Sequence, residues 1–470
     1  MASVASRSRR ERKSSVNVIE QQDGQPAPGS SMERLKEALR GGMRSKLLRN
    51  ILTVVSGTAG AQAITMAFMP VITRIYGPEA YGVLGTFLSV TLMLIPIAAL
   101  TYPIAIVLPK RDGDARGLVR LSLMLAVLLA ALAALSIHLF GGWLVEKADV
   151  AVIEPYLMLI PLVMFSGAAL EIAQQWLYRT QQFRITASVA VGNSLLFNSL
   201  RTGAGLIQSS ALVLVCTTAL QQALHAAMLG LAMWRAKAHD HGAEKTAEPV
   251  PGLAALARRH ADFPLYRAPV ILINAISQHL PTLVLAVYFG PAAAGFFALG
   301  KQVLSMPTNL IGKSVGDVYY PRITRAIHDG EAVTSMLVKA TSALALVGLV
   351  PFTVVIVAGP ALFAWVFGAE WRVAGEFARW LALAEFFIFI SRPCVVTVPA
   401  LSLQKRFLLF EVVSTALRIG ALFAGALLWS EAVVTVQAFA CASVLIYSAL
   451  MVIVLIASRV WYARRTEQSQ

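Results

Sequence analysis

Long apolar runs, separated by short polar islands, follow one another from about residue 50 to residue 457. A helix crosses the hydrocarbon of a bilayer with roughly twenty apolar residues. Stretches that satisfy this lie near 50–73, 81–108, 118–141, 153–177, 186–206, 210–234, 267–289, 294–319, 337–358, 377–401, 407–428 and 432–457. They predict an all-α membrane protein of about twelve transmembrane helices, the fifth and sixth divided by only a few residues. Residues 1–46 stand outside the pattern: they are polar and basic, and without the apolar core of a signal peptide. Their Ser, Gln, Pro and Gly content reads as disorder, and Met32–Leu48 as a short basic helix on the membrane surface.

Composition sharpens the class. Hydrophobic residues make up 57% of the chain and charged residues 14%, with a mean hydropathy of +0.67. Soluble domains carry about 45–50% and about 25%, so too little charge is present to cover a water-soluble fold. The net charge of +15 does not mark a nucleic-acid binder, because the bases flank apolar segments rather than share one face. With both termini placed in the cytoplasm, the cytoplasmic segments hold 31 of the 40 lysines and arginines, whereas the opposite loops keep Arg74, Lys147, Arg372 and Arg379. That bias orients a multi-pass inner-membrane protein with both ends cytoplasmic. Cys216, Cys394 and Cys441 lie far apart in apolar sequence and read as small buried residues.

The chain also repeats. Gly77-Pro78-Glu79-Ala80-Tyr81-Gly82 opens the second span and Gly290-Pro291-Ala292-Ala293-Ala294-Gly295 the eighth, 213 residues later. Gln181-Gln182-Phe183 and Gln404-Lys405-Arg406-Phe407 close the fourth and tenth at a similar offset. Two matches, each after an even number of spans, predict two pseudo-symmetric six-helix lobes of equal orientation, with a substrate cavity between them. The expected layout is a disordered basic tail (1–46), a first lobe (47–234), a linker (235–262), a second lobe (263–458) and a C-terminal tail (459–470).

Ionisable groups within spans are costly and usually face an interior. The bases are Arg201, Lys301, Lys313, Arg392 and Arg418, and the acids Glu171, Asp317, Glu385 and Glu411. Spacing offers pairs: Lys313 with Asp317 at one turn, and Arg418 with Glu411 and Arg392 with Glu385 at two. Arg201 and Lys301 have no local acid, which makes them the first choice for a substrate-facing charge. Surplus positive charge in a cavity attracts phosphate or acidic sugars. Gln62 and Gln278 precede the two Gly-Pro repeats and suit sugar hydroxyls, although amides in membrane bundles more often join helices. Asp317 and Glu385 are candidates to couple transport to protons or sodium. No nucleophile elbow, phosphate loop or histidine–carboxylate cluster is present, which argues against an enzyme and calls for no cofactor.

The run Gln62 through Pro109, with Pro70, Thr73-Arg74, Gly77-Pro78, Tyr81-Gly82 and Ala105-Ile106-Val107-Leu108-Pro109-Lys110, resembles the opening of Wzx-type polysaccharide flippases. Trp176-Leu177-Tyr178-Arg179, Gln182-Phe183-Arg184, Asp262-Phe263-Pro264-Leu265-Tyr266, Gln278 with Pro281, Pro307, and Val366-Phe367-Gly368 with Trp371 extend the resemblance from about 50 to 410. It implies the multidrug/oligosaccharidyl-lipid/polysaccharide exporter fold, with two six-helix lobes forming a V. The implied substrate is an undecaprenyl-diphosphate-linked oligosaccharide, and membrane lipid and the pathway's polymerase and chain-length regulator are the implied partners. Relatives often carry Tyr-Glu where this chain has Tyr102-Pro103, so no role of that glutamate carries over. The rival readings are a cation-coupled multidrug-type antiporter, which calls for an acidic cavity, and a membrane glycan polymerase, which calls for a long catalytic loop.

Overall fold

The computed structural model describes residues 46–148, 151–239, 252–329, 331, 333–401 and 403–468, and side chains from Ser56 onward outside short stretches that include 310–318. The chain divides between Val55 and Ser56. Of the first unit, residues 46–55 are described, and they are helical. The tail expected over 1–46 lies almost wholly outside the described residues. The second unit, Ser56–Gln470, is one compact body.

Every regular element among the described residues is helical. In order these are α1 (Lys46–Ala98), α2 (Asp112–Ala148), α3 (Leu159–Arg179), α4 (Phe183–Ile207), α5 (Ala211–His239) and the short α6 (Leu253–Arg259). There follow α7 (Ala268–Asp329), α8 (Val333–Phe367), α9 (Arg372–Ile390), α10 (Arg392–Ala400), α11 (Gln404–Trp429) and α12 (Ala432–Gln468). Within α1 and α7 the backbone turns at Gly77 (φ 69, ψ 174) and Gly290 (φ 83, ψ 175). That region is open essentially to glycine alone, and the proline after each one starts the next helix with its φ already set. Both long helices therefore count twice. With α9 and α10 forming one bent span, twelve crossings result, six on each side of α6.

Among the described residues, eight helices are long and apolar enough to span a membrane by length and composition alone. Two further long helices, α3 and α4, turn polar groups inward: Ser166 of α3 and Asn193, Ser194 and Asn198 of α4 are buried. On α2, Met124, Val127, Leu128, Leu135 and Leu139 face outward, as do Leu346, Val347, Val350, Val354 and Val357 on α8. Such helical stripes form an apolar belt that water does not tolerate and lipid does.

The halves meet where the repeats are. A Cβ on Gly82 would overlap the carbonyl of Pro291, and one on Gly295 the carbonyl of Pro78. The contact is reciprocal, as a two-fold relation between the halves requires. Around it Trp371 donates to the Thr73 carbonyl (3.1 Å), Arg74 to the Trp365 carbonyl (2.6 Å) and Tyr81 to Gln302 Oε1 (2.8 Å). One hydrophobic core joins Met69 and Tyr81 of the first half to Phe297, Trp371 and Phe377 of the second. All of this lies on the face opposite to the chain termini, called here the distal face. On the terminal face the links run through α6 and the first turn of α7: Tyr102 donates to the Ala257 carbonyl (3.1 Å), Thr101 to the Phe263 carbonyl (3.1 Å), and Arg259 pairs with Asp114 (3.4 Å). Burial pushes the His260 imidazole below its ordinary range, with Arg259 adding to this and Asp114 and Asp262 opposing it.

Several expected boundaries shift. The second span, read as 81–108, stops as an α-helix at Ala98; Leu100 and Thr101 take positive φ, and Tyr102–Val107 forms a 3-10 turn. Apolar sequence continues through this turn because it is itself buried against α2, α3 and α6, as the Tyr102, Ile106 and Leu256 cluster shows. The eighth span continues to Asp329. The tenth is broken at Ser391, with Pro393 opening α10. The linker is helical over Leu253–Arg259, and the last helix runs past 459 to Gln468.

Candidate functional site

The embedded charges separate into two groups. In the first half, Arg201 sits on α4 six residues before its distal end, about 9 Å along the axis. Its guanidinium donates to Thr218 Oγ1 (3.0 Å) and to Gln221 Oε1 on α5, and its buried Nε has no partner among the described residues. Tyr76 donates to its backbone carbonyl (2.7 Å). No carboxylate pairs with it among the described residues. Thr65, Tyr81, Asn198, Arg201, Gln221 and Gln302 contribute to the wall of a chamber of about 220 Å³. Gln302 comes from the second half and takes the Tyr81 hydrogen bond, so the chamber reaches across the junction.

The second half holds a mixed cluster. Lys301, ten residues into the helix that begins at Pro291, stands about 15 Å deep, near the midplane. Its ammonium donates to the carbonyl and the Oε1 of Gln278, both at 2.8 Å. Glu385 on α9 is buried, and the charges of Lys301 and Arg392 both act on it. Arg418 on α11 is buried, pairs with Glu411 at 3.4 Å and faces the Tyr447 ring at 5.8 Å. Arg392 has a buried Nε without a hydrogen-bond partner among the described residues. Of the three cations Arg418 thus pairs with a carboxylate, and Lys301 and Arg392 lie within the electrostatic reach of Glu385, whereas Arg201 has no carboxylate partner among the described residues.

The side chains of Lys313 and Asp317 lie outside the described residues. Gln278 is brought to Lys301 as its partner. Gln62 is half-buried on α1, and its Oε1 has no hydrogen-bond partner among the described residues. Thr218, Gln221 and Gln302 do not stand out in the sequence. Their one signal was a polar residue inside an apolar run, which many structural positions share.

The model of the polysaccharide biosynthesis protein family matches residues 47–327, more than half the chain. The chain belongs to that family. For this family member no curated protein sequence gives a match, but solved structures do. A multidrug resistance MATE family transporter of the MOP superfamily, in its inward-facing conformation, superposes with a TM-score of 0.68 at 12% identity, over 87% of this chain and 96% of that one. The lipid II flippase MurJ, in an inward closed conformation, gives 0.63 at 10% identity over 85% and 86%. An outward-facing MATE family transporter gives 0.60 at 13% over 90% and 98%. At these identities the likeness is one of fold. It agrees with the two-lobed exporter architecture that the sequence motifs implied.

Proposed function

We propose that this polysaccharide biosynthesis protein is a flippase. It carries an undecaprenyl-diphosphate-linked oligosaccharide from the cytoplasmic to the periplasmic leaflet of a bacterial inner membrane, for surface polysaccharide synthesis. The terminal face is cytoplasmic by the lysine and arginine bias. The distal contact through Gly82, Gly295 and Trp371 closes the periplasmic side, and rocking of the halves opens it.

The observation that carries the reading is Arg201. A half-buried guanidinium without a carboxylate partner among the described residues is costly unless it meets an anion, and its neutral partners leave its charge available to one. A diphosphate entering the chamber gains charge-assisted hydrogen bonds that offset its loss of water. Lys301, held by the neutral Gln278, is the second contact, and Arg392 and Arg418 extend the positive field. Gln62, Gln278 and Asn198 serve the sugars, and most of the polyprenyl chain remains in lipid. Glu385, between Lys301 and Arg392, is assigned to proton coupling. No covalent bond changes in this cycle.

Replacing Arg201 and Lys301 together by alanine is expected to abolish surface polysaccharide while the protein is inserted at the wild-type level. Normal polymer from that variant would remove both residues from the mechanism. A multidrug-type antiporter would need an acidic chamber, and the described residues lining this one include no carboxylate. Drug resistance conferred by the protein, with polysaccharide unaffected by its deletion, would favour that alternative.

A further inference from the structure

A second cavity, of about 730 Å³, lies at the terminal-face end of the second half, between α7, α10 and α11. Its wall is almost entirely apolar, from Val270, Val398, Phe407 and Leu408 among others, with Asp262, Arg267 and Glu411 as charged edges. Leu408 and Val270 are exposed, so the cavity opens outward at that lip. It is far larger than the chamber at Arg201, and its chemistry differs.

Two connections tie it to the charged cluster. Glu411 is at once part of this wall and the partner of Arg418 (3.4 Å). Arg392 stands one and two helical turns before the wall residues Val395 and Val398 on the same short helix. The inner side of the cavity thus points toward the half-buried Arg392 and the buried Arg418. An apolar slot next to a cationic cluster complements an amphiphile with one branched hydrocarbon chain and a phosphorylated head. The corresponding seam of the first half is closed: Gly57 of α1 abuts Ala187 of α4, and Thr65 bonds Ser194 at 3.0 Å. The opening is thus a property of the second half and not of the repeat.

We propose that this cavity holds the head-proximal isoprene units of the polyprenyl carrier on entry, while its diphosphate lies toward Arg392 and Arg418 and before it reaches Arg201 and Lys301. The assignment rests on the flippase reading and adds the site at which the chain itself is recognised. Contact along the apolar wall adds to the charge contacts, so the site selects carriers by their chain as well as by their charge.

The test uses the full-length protein in nanodiscs of phosphatidylethanolamine, with inorganic diphosphate, geranyl diphosphate and geranylgeranyl diphosphate as ligands. Wild type is expected to bind the geranylgeranyl compound at least about tenfold more tightly than the geranyl compound, a small part of what ten buried carbons yield. Val270 is 43% exposed on the lip, so Val270→Trp adds bulk there without disturbing packed core. That variant is expected to lose the chain-length gain while binding inorganic diphosphate as wild type does. Independently of any variant, a diazirine-bearing polyprenyl diphosphate should label peptides around Val270, Val398 and Leu408. Chain-length dependence that survives in Val270→Trp, or labelling confined to other helices, overturns the proposal. So does equal labelling of the same wall by a diazirine phosphatidylglycerol, which would make the cavity a bilayer-lipid site. Diphosphate binding with no chain-length effect in wild type overturns this assignment alone. Failure of all three ligands to bind overturns the flippase reading with it.

Discussion

The two halves of the molecule share an architecture and differ in electrostatics. In the first, a single arginine is held by a hydroxyl and an amide, inside a seam tightened by Gly57, Ala187, Thr65 and Ser194. In the second, Lys301, Arg392 and Arg418 are set among Glu385 and Glu411, and the equivalent seam gapes into an apolar cavity. Duplication fixes the backbone path and leaves the side chains free to specialise. The first half supplies charge that the protein itself does not neutralise. The second supplies a compensated network, in which each carboxylate removed exposes a base.

The comparison breaks most severely at the junction. Gly82→Leu drives a side chain into the Pro291 carbonyl and is expected to cost more than the roughly 3 kcal/mol usual for overpacking, seen as loss of monodisperse protein in detergent. In the second half, Glu411→Ala leaves Arg418 buried and uncompensated. A loss of about 3 kcal/mol is expected, read as a fall in thermal midpoint, and Glu411→Leu combined with Arg418→Met should recover most of it. A double variant no more stable than Glu411→Ala would show that the pair is not an independent unit. In the first half the sign is opposite. Arg201→Met removes a desolvated charge that no carboxylate offsets, so thermal stability is expected to stay level or rise by about 1 kcal/mol, while polysaccharide export is lost. A large destabilisation would recast Arg201 as structural.

The smallest effect concerns the terminal-face link. With its folded pKa lowered chiefly by burial, His260 stays neutral in the packed linker, and the opened form takes up a proton first as pH drops below about 6.5. The contact is therefore favoured at and above neutrality and weakens on acidification. Amide exchange over residues 253–267 is expected to quicken between pH 7.5 and 5.5 in wild type and to lose that dependence in His260→Gln; identical profiles would detach His260 from the linker.

Much of this was legible in the sequence, for definite reasons. The Gly-Pro repeats announced the duplication and the starts of two helices, because the positive φ before each proline demands glycine and leaves a mark at both copies; that the two copies also pack on each other was not legible. Arg418 and Glu411 were readable as a pair because they lie two turns apart on one helix. Gln278 as the partner of Lys301 was not, since the bond spans 23 residues and the bend at Gly290. Thr218 and Gln221 reach Arg201 from an antiparallel neighbour, and their register depends on a loop whose geometry apolar periodicity does not encode. The turn at Leu100 and Thr101 was hidden because neither residue type advertises a positive φ. The cavity beside α11 had no signature at all, as it arises from side chains that fail to meet.

The reciprocal contact of Gly82 with Pro291 and Gly295 with Pro78 has the form of an isologous interface, the kind that identical subunits make across a dyad. Here one polypeptide supplies both partners. The connecting segment then secures stoichiometry rather than affinity, and two half-chains produced separately would already possess the matching surfaces needed to find each other in the bilayer.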